Sequence, residues 1–323
     1  MYLNFRYFLV LNELFKFKPY VSRLVKIAMF FQLNIYQKSP FRIIVKESRK
    51  PKILMIHRIS TVIPIDKIYY FRNLVTPKER LMKIIESLIG NGVHPGSIKE
   101  TLQDENKFHL SFDDGYREHL KIAKELKRVF SLKNEHCTFS INIGNSILEE
   151  YSGMDLIYEI ISSGNANMLC EYLRERGYEF DLDIESIKEK YLALHPDEIK
   201  ELIERIEEDD FRLKKLYLDR DQIKNLSKLF NVASHGISHR DLRKNIKISD
   251  KEISNSKKIL EDIIGSEVEI MCYPEGKNNE KIRKITKDSG YKFGLSIDHE
   301  KDDPFCIGRY CINRELEKFL GGI

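Results

Sequence analysis

The side chains able to do chemistry in this sequence stand just after apolar runs. His57 follows Ile53–Ile56, Asp113 and Asp114 follow Phe108–Phe112, and His235, with His239 beyond it, follows residues 231–234. A fourth such end is the turn Tyr273-Pro274-Glu275-Gly276. Taken singly, each has an ordinary structural use. A lone histidine often hydrogen-bonds inside a core, and Asp-Asp-Gly makes a turn or a helix cap. His235 and His239 can face one cation if their segment is helical or tightly turned, although such pairs also occur on surfaces. Convergence would add more. One carboxylate and two imidazoles make a facial set that leaves positions open for water and substrate. A second, adjacent carboxylate can then serve as a base without binding the metal.

The segments between these ends must bring them together. Ile53–Ile56 reads as a buried strand. Thr76-Pro77-Lys78-Glu79 signals a helix start, with Thr76 as cap and Pro77 at the first position. Leu81, Ile84, Ile85, Leu88 and Ile89 keep helical spacing up to Gly90-Asn91-Gly92. Strand 108–112, helix 117–130 and strand 137–143 follow. After a gap come helix 219–229, strand 231–234, helix 249–264, strand 267–273, helix 278–289 and strand 291–297. This alternation implies an α/β fold with a largely parallel sheet and crossover helices. The number of units favours a closed or nearly closed (β/α) barrel, whose sites gather at the C-terminal ends of strands. Residues 150–215 break the rhythm. Leu156, Ile157, Ile160 and Ile161, then Ile199, Leu202, Ile203 and Ile206, form helical stripes with charge between them, which predicts a helical insertion.

A chain of 323 residues with 42% hydrophobic content can bury a sizeable core, which excludes a disordered protein. No run of about 18 uncharged apolar residues suggests a membrane-spanning helix. Five cysteines (137, 170, 272, 306 and 311) without a CxxC pair argue against a disulfide framework and for a reducing compartment. The net charge of +4 is unevenly spread: residues 1–52 hold eleven Lys or Arg against Glu13 and Glu47. Aromatic rings from Tyr2 to Tyr36 lie among these cations, a composition that suits a lipid headgroup layer. It suits equally a helical extension packed on its own domain or on a twin subunit. No nucleic-acid motif accompanies the charge. The apolar run Tyr7–Leu11 is too short for a signal peptide, and Asn12 and Glu13 interrupt it. The expected organisation is therefore a basic aromatic extension, residues 1–50, followed by a barrel, 51–323, carrying the insertion. The expected location is the cytoplasm, peripheral on the inner face of a membrane.

Three segments resemble the motifs of one family. Ser111-Phe112-Asp113-Asp114-Gly115-Tyr116 is similar to the first motif of the polysaccharide deacetylases (the NodB-homology, carbohydrate esterase family 4 group), T/S-F-D-D-G. Ser234-His235-Gly236-Ile237-Ser238-His239 resembles the second, S-H-[ST]-x-x-H, and Tyr273-Pro274-Glu275-Gly276 the third, with its Y-P-x-G core. The resemblance covers residues 53 to 314 apart from the insertion. It implies a distorted (β/α) barrel of the NodB-homology type. It also implies a divalent metal on Asp114, His235 and His239, zinc first, with cobalt, nickel and manganese as alternatives. Asp113 takes the role of general base. Many members carry a general-acid histidine near the C-terminus, for which this chain offers only His299. Another branch, acting on poly-N-acetylglucosamine and resembling a circular permutation, carries that histidine at the end of its first strand. Met55-Ile56-His57-Arg58-Ile59 is similar to that strand, which assigns the acid to His57.

Two departures stand out. The arginine that members carry two residues before the motif proline is Cys272 here, and the residue after the proline is Glu275 rather than an aromatic. The Glu275 backbone N–H can still bind an oxyanion. Arg309 and Arg314 are candidates to orient Asp113 or to touch substrate. With no Trp in the chain, sugar stacking falls to Tyr116 or Tyr273. The implied reaction is metal-dependent hydrolysis of an N-acetyl group on a sugar or glycan precursor, in surface polysaccharide or glycolipid synthesis. A non-catalytic glycan-binding protein on the same fold and a hydrolase of non-sugar amides or imides are the rival readings.

Overall fold

The computed structural model describes residues 50–60, 74–148, 154–162, 164–181, 184–191, 194, 196–205, 216–316 and 319. The expected N-terminal extension, apart from Lys50, lies outside the described residues. Residues 48–159 and 210–323 form one compact unit. Its strands are β1 (Ile53–Ile56), β2 (Arg58–Ser60), β3 (Val75–Pro77), β4 (His94–Pro95), β5 (Lys107–Phe112), β6 (Cys137–Ile141), β7 (Asn231–Ser234), β8 (Ile270–Cys272), β9 (Phe293–Ser296), β10 (Ile307–Gly308) and β11 (Tyr310–Cys311). The main sheet runs β10-β9-β8-β7-β6-β5-β1-β11, with β4 on β5, and its neighbours are parallel.

Period-two alternation divides the two faces of this sheet. From β5, Phe108, Leu110 and Phe112 enter the large apolar core shared with the helices, as do Cys137, Phe139 and Ile141 from β6. Phe112 and Phe139 stack there with ring centres 4.4 Å apart. The residues between them, His109, Ser111, Thr138 and Ser140, are equally buried but polar. They share their face with a separate apolar cluster of Ile53, Ala233, Ile270, Cys272, Leu295 and Ile307. His109 shows how the polarity of this face is satisfied: one ring nitrogen lies 3.0 Å from the Gly96 carbonyl and the other 2.9 Å from the Thr138 hydroxyl. Continued past the strand ends, the same parity carries His57, Asp113 and His235 onto the inner face.

The two ends of the sheet are consecutive in sequence. β10 pairs with β9 (Ile307↔Leu295) and β11 pairs with β1 (Leu54↔Tyr310), with Arg309 alone between them. Residues 307–311 thus span the gap between the outer strands, which leaves a nearly closed (β/α) barrel. Gly308 is needed at this crossing, because a Cβ there would lie 2.7 Å from the His299 Cβ.

Helices Lys78–Gly90, Glu118–Phe130, Arg220–Ser227, Ile246–Ile264 and Glu280–Asp288 occupy the crossovers. Asp219, Asn245 and Asn279 cap the last three through side-chain acceptors. The first differs from its expected start. Pro77 takes the cap position without a side-chain bond, because Thr76 pairs in β3 with Ile59 and accepts a hydrogen bond from the Asn313 amide at 3.1 Å. Residues 160–209 belong to a second compact unit, and the described helices that lie wholly within it are Ala166–Glu175, Ile184–Tyr191 and Pro196–Arg205, while Met154–Ser162 runs across its boundary. Within that unit Arg176 lies 3.4 Å over the Tyr172 ring and pairs with Glu198 at 3.2 Å. All five cysteines are buried thiols. Among the described residues, no helix is long and apolar enough to cross a membrane.

Candidate active site

The adjacent carboxylates after β5 diverge because the backbone turns between them. Asp113 continues the strand, its N–H donating to the Ile56 carbonyl at 2.9 Å. Asp114 is in the left-handed region at φ 77°, followed by Gly115 at φ 73°. Asp114 Oδ1 thereby comes 3.3 Å from His235 Nε2 and 3.4 Å from His239 Nε2. The two imidazole rings are 4.9 Å apart, and the three donor atoms all lie within 4.8 Å of one another. Tetrahedral zinc with bonds of about 2.0–2.1 Å would hold its ligand atoms about 3.4 Å apart, so the donor set fits such an ion.

The surroundings of His235 agree with ligation. Its Nδ1–H donates to the Cys272 carbonyl at 2.7 Å, which leaves Nε2 to face Asp114, the second-sphere bond typical of metal-bound histidine. Burial favours neutral forms of His239 and Asp114. The bonds between them outweigh it, raising the His239 pKa and holding Asp114 well below the usual carboxylate range.

Asp113 has a different partner. Its Oδ1 accepts from the Arg309 guanidinium at 2.7 Å and from the Ser140 hydroxyl at 2.9 Å. The same Arg309 nitrogen donates to Ser111 Oγ at 2.8 Å, and both members of the ion pair are buried. Burial alone would raise the Asp113 carboxyl; Arg309, His235 and His57 bring it down to about 2. Of the two arginine candidates, then, Arg309 holds Asp113, and Arg314 is exposed in the turn after β11. Cys272, where the family motif has its arginine, is fully buried with Arg309 and Asp113 as charged neighbours, and burial pushes its thiol up to about 12. The guanidinium reaches the carboxylate from the closing strand rather than from the motif turn.

His57 stands at the end of β1, where Ile56 pairs with Phe112. Burial lowers its pKa, against the pull of Asp114 and Asp113, so it belongs to the same electrostatic group. His299 lies elsewhere: among the described residues the charges acting on it are Lys50 and Asp302. Glu275 turns the chain after β8 at φ 53°, and its carboxylate pairs with Lys277.

The two tyrosines expected to stack on sugar are core residues. Tyr116 is 3% exposed, its hydroxyl donating to Asp155 at 2.9 Å, with the Tyr217 ring stacked beside it and the Arg58 guanidinium 4.7 Å from its centre. Tyr273 is fully buried and donates to the Phe305 carbonyl at 3.0 Å.

Several supporting residues escaped the sequence reading. Ser140 was visible only as a polar position in an otherwise apolar strand, and Ser111, read as the first residue of the T/S-F-D-D-G motif, was not assigned its contact with Arg309. His119 is buried and donates from Nε2 to the His57 carbonyl at 2.6 Å, a link that nothing local announces. Glu252 left a trace, as an acid on the buried helical stripe Ser249, Ile253, Ser256 and Leu260.

A family model described as polysaccharide deacetylase matches residues 186–294, which include His235, His239 and the Tyr273–Gly276 turn. In fold the chain is similar to the deacetylase PplD from Streptococcus pyogenes, solved in complex with acetate (15% identity, 80% of this chain and 91% of that one, TM-score 0.50). It is also similar to IcaB from Ammonifex degensii (11% identity, 85% and 96%, TM-score 0.53). A third likeness is to a de-N-acetylase from Aggregatibacter actinomycetemcomitans (16% identity, 83% and 98%, TM-score 0.52). At these identities the likeness is one of fold. No curated protein sequence matches the chain. The family match is confined to residues 186–294, and the barrel that carries it is similar in fold to NodB-type deacetylases.

Proposed function

We propose that this protein removes the acetyl group from an N-acetylated sugar in a glycan or glycan precursor, in a reaction that depends on a divalent metal, zinc first. The observation that carries the reading is the meeting of two sets of side chains. Asp114, His235 and His239 approach within 3.3 and 3.4 Å, and directly beside them Asp113 is held by Arg309 at 2.7 Å. Two fold neighbours, a de-N-acetylase and a deacetylase holding acetate, support acetate as the product.

Bound at Asp114, His235 and His239, the cation would supply a Lewis acid that makes a water more acidic and the acyl carbonyl more electrophilic. Asp113, ionised and aimed by Arg309 and Ser140, accepts the proton as the water attacks the carbonyl carbon. A carboxyl at about 2 is a weak base, so this transfer depends on the water having been acidified. The backbone N–H of Glu275 is assigned to the oxyanion. His57 gives its proton to the amine nitrogen as the C–N bond breaks, since an unprotonated amine leaves poorly. An amino sugar and acetate result. We assign residues 1–50 to location, on the cytoplasmic face of a membrane that carries the substrate.

The test is a screen of the metal-loaded protein against N-acetylglucosamine oligomers, nucleotide-linked and lipid-linked N-acetyl sugars, and cyclic imides. Release of a free amine from at least one acetylated sugar is the expected result. Ring opening of imides without any sugar deacetylation would overturn the proposal.

A further inference from the structure

The loop that carries His239 is held by a carboxylate from a neighbouring helix. Glu252 lies in the second turn of Ile246–Ile264 and is 5% exposed. Its Oε2 accepts the backbone N–H groups of Ile237 at 3.3 Å and Ser238 at 3.2 Å. Its Oε1 accepts the Ser238 hydroxyl and makes an ion pair with Arg240, whose Nε lies 3.0 Å away and donates to Ser238 Oγ. Three donors and one cation face it, so the side chain acts as an acceptor throughout. They bracket His239 on both sides.

This loop requires holding. Gly236 at φ 75° and His239 at φ 50° are both left-handed, a conformation that costs a residue with a side chain roughly 1 kcal/mol or more. A Cβ on Gly236 would already lie 3.4 Å from Glu252 Oε2. One helical turn further along, Ser256 accepts from the Ser234 hydroxyl at 2.7 Å, and Ser234 Oγ in turn accepts the Gly236 N–H at 3.1 Å. The two histidines are oriented differently. His235 is fixed through its own ring by the Cys272 carbonyl. Among the described residues, the hydrogen-bonding contact of the His239 ring is Asp114 alone. The direction of His239 Nε2 is therefore set by the backbone on either side of it.

We propose that Glu252 is a positioning residue for the metal centre: by pinning Ile237, Ser238 and Arg240 it presents His239 Nε2 to Asp114 and His235, and so sets metal affinity. The inference rests on the metal reading given under the proposed function. Outer-sphere partners of metal ligands are typically worth 10- to 100-fold in metal affinity, and Glu252 serves His239 in this way through the main chain.

The experiment titrates full-length protein, stripped of metal, with Zn2+ against a competing chelator, and records the melting temperature of each metal-free variant. Glu252→Ala is expected to weaken Zn2+ binding roughly 10- to 100-fold. Glu252→Gln, which keeps one oxygen for the two backbone N–H groups, should fall between it and the wild type. Ser249→Ala is the control for damage to the helix alone, because that hydroxyl bonds the Leu242 and Asn245 carbonyls and touches neither ligand. It should stay within about threefold of wild type even where its metal-free melting temperature falls as far as that of Glu252→Ala. If Glu252→Ala does not fold, the glutamine variant carries the test. Wild-type affinity in the Glu252 variants, or an equal loss in Ser249→Ala, would overturn the inference while leaving the metal reading in place. A wild-type protein that takes up no Zn2+ would overturn the metal reading and this inference together.

Discussion

Replacing Arg309 by methionine should destabilise the protein in a way that depends on pH. The substitution keeps most of the aliphatic volume but leaves Asp113 buried at 2% exposure without its guanidinium. Removing one member of a buried ion pair costs roughly 3–5 kcal/mol. Part of that cost can be worked from the carboxyl itself. Burial pushes Asp113 up, and Arg309 leads the charges that bring it from 3.8 down to about 2. A displacement of that size corresponds to roughly 2.4 kcal/mol. A folded-state pKa below the unfolded value contributes stability above the unfolded value and loses it as pH falls through the folded one. The variant lacks this contribution, because burial without the guanidinium favours the protonated acid. The gap between variant and wild type should thus be widest near pH 7 and should narrow by about 1 kcal/mol or more by pH 3. A simple packing defect would cost the same at both. Urea unfolding of metal-free wild type and Arg309→Met at the two pH values measures the gap. A gap that does not change with pH, or one below about 1 kcal/mol at pH 7, would refute the assignment of Arg309 as the partner that keeps Asp113 ionised.

Asp113 and Asp114 should separate under mutation although they are neighbours. Asp113→Asn is expected to keep one metal per chain and lose turnover by about a hundredfold or more, whereas Asp114→Ala and His239→Ala lose the metal itself; metal analysis of the purified variants decides between them. The pH–rate profile should be bell-shaped, with its alkaline limb set by a protonated His57. Burial lowers that pKa below 6.5, so activity should fall at a lower pH than an ordinary imidazole would give, and His57→Gln should abolish that limb along with most of the rate. If limb and rate both survive, His57 is not the acid and His299 is the next residue to replace. Deleting residues 1–50 should spare hydrolysis of a small soluble substrate and weaken sedimentation with anionic vesicles, most at low salt; full-length protein that ignores such vesicles at low salt removes the membrane assignment.

Much of the barrel could be read from the strands that face two cores. Phe108, Leu110 and Phe112 on one face, with His109 and Ser111 on the other, write the period directly into the sequence. The meeting of Asp114, His235 and His239 was legible for a related reason: unusual residue types stand at the ends of those strands. What pattern could not supply was register and closure. β10 and β11 have two residues each, too few to show any period, so the sequence left Arg309 and Arg314 as equals. Only the crossing of the chain from β9 to β1 turns Arg309 inward. Tyr116 and Tyr273 show the opposite limit. Ring chemistry suggested sugar contacts, but exposure is a property of packing, and both hydroxyls are bonded inside the core. Glu252 and His119 act across 14 and 62 residues of sequence, and no local pattern encodes such pairs.

The central claim is tested most directly by stripping the protein of metal, restoring it with one equivalent of Zn2+, and measuring acetate and free amine released from an N-acetylglucosamine oligomer. The account predicts no release from the stripped protein, recovery on adding Zn2+, equal amounts of acetate and amine, and no recovery in Asp114→Ala. Turnover that is indifferent to chelation, or a restored protein that releases neither product from any acetylated sugar, would contradict it.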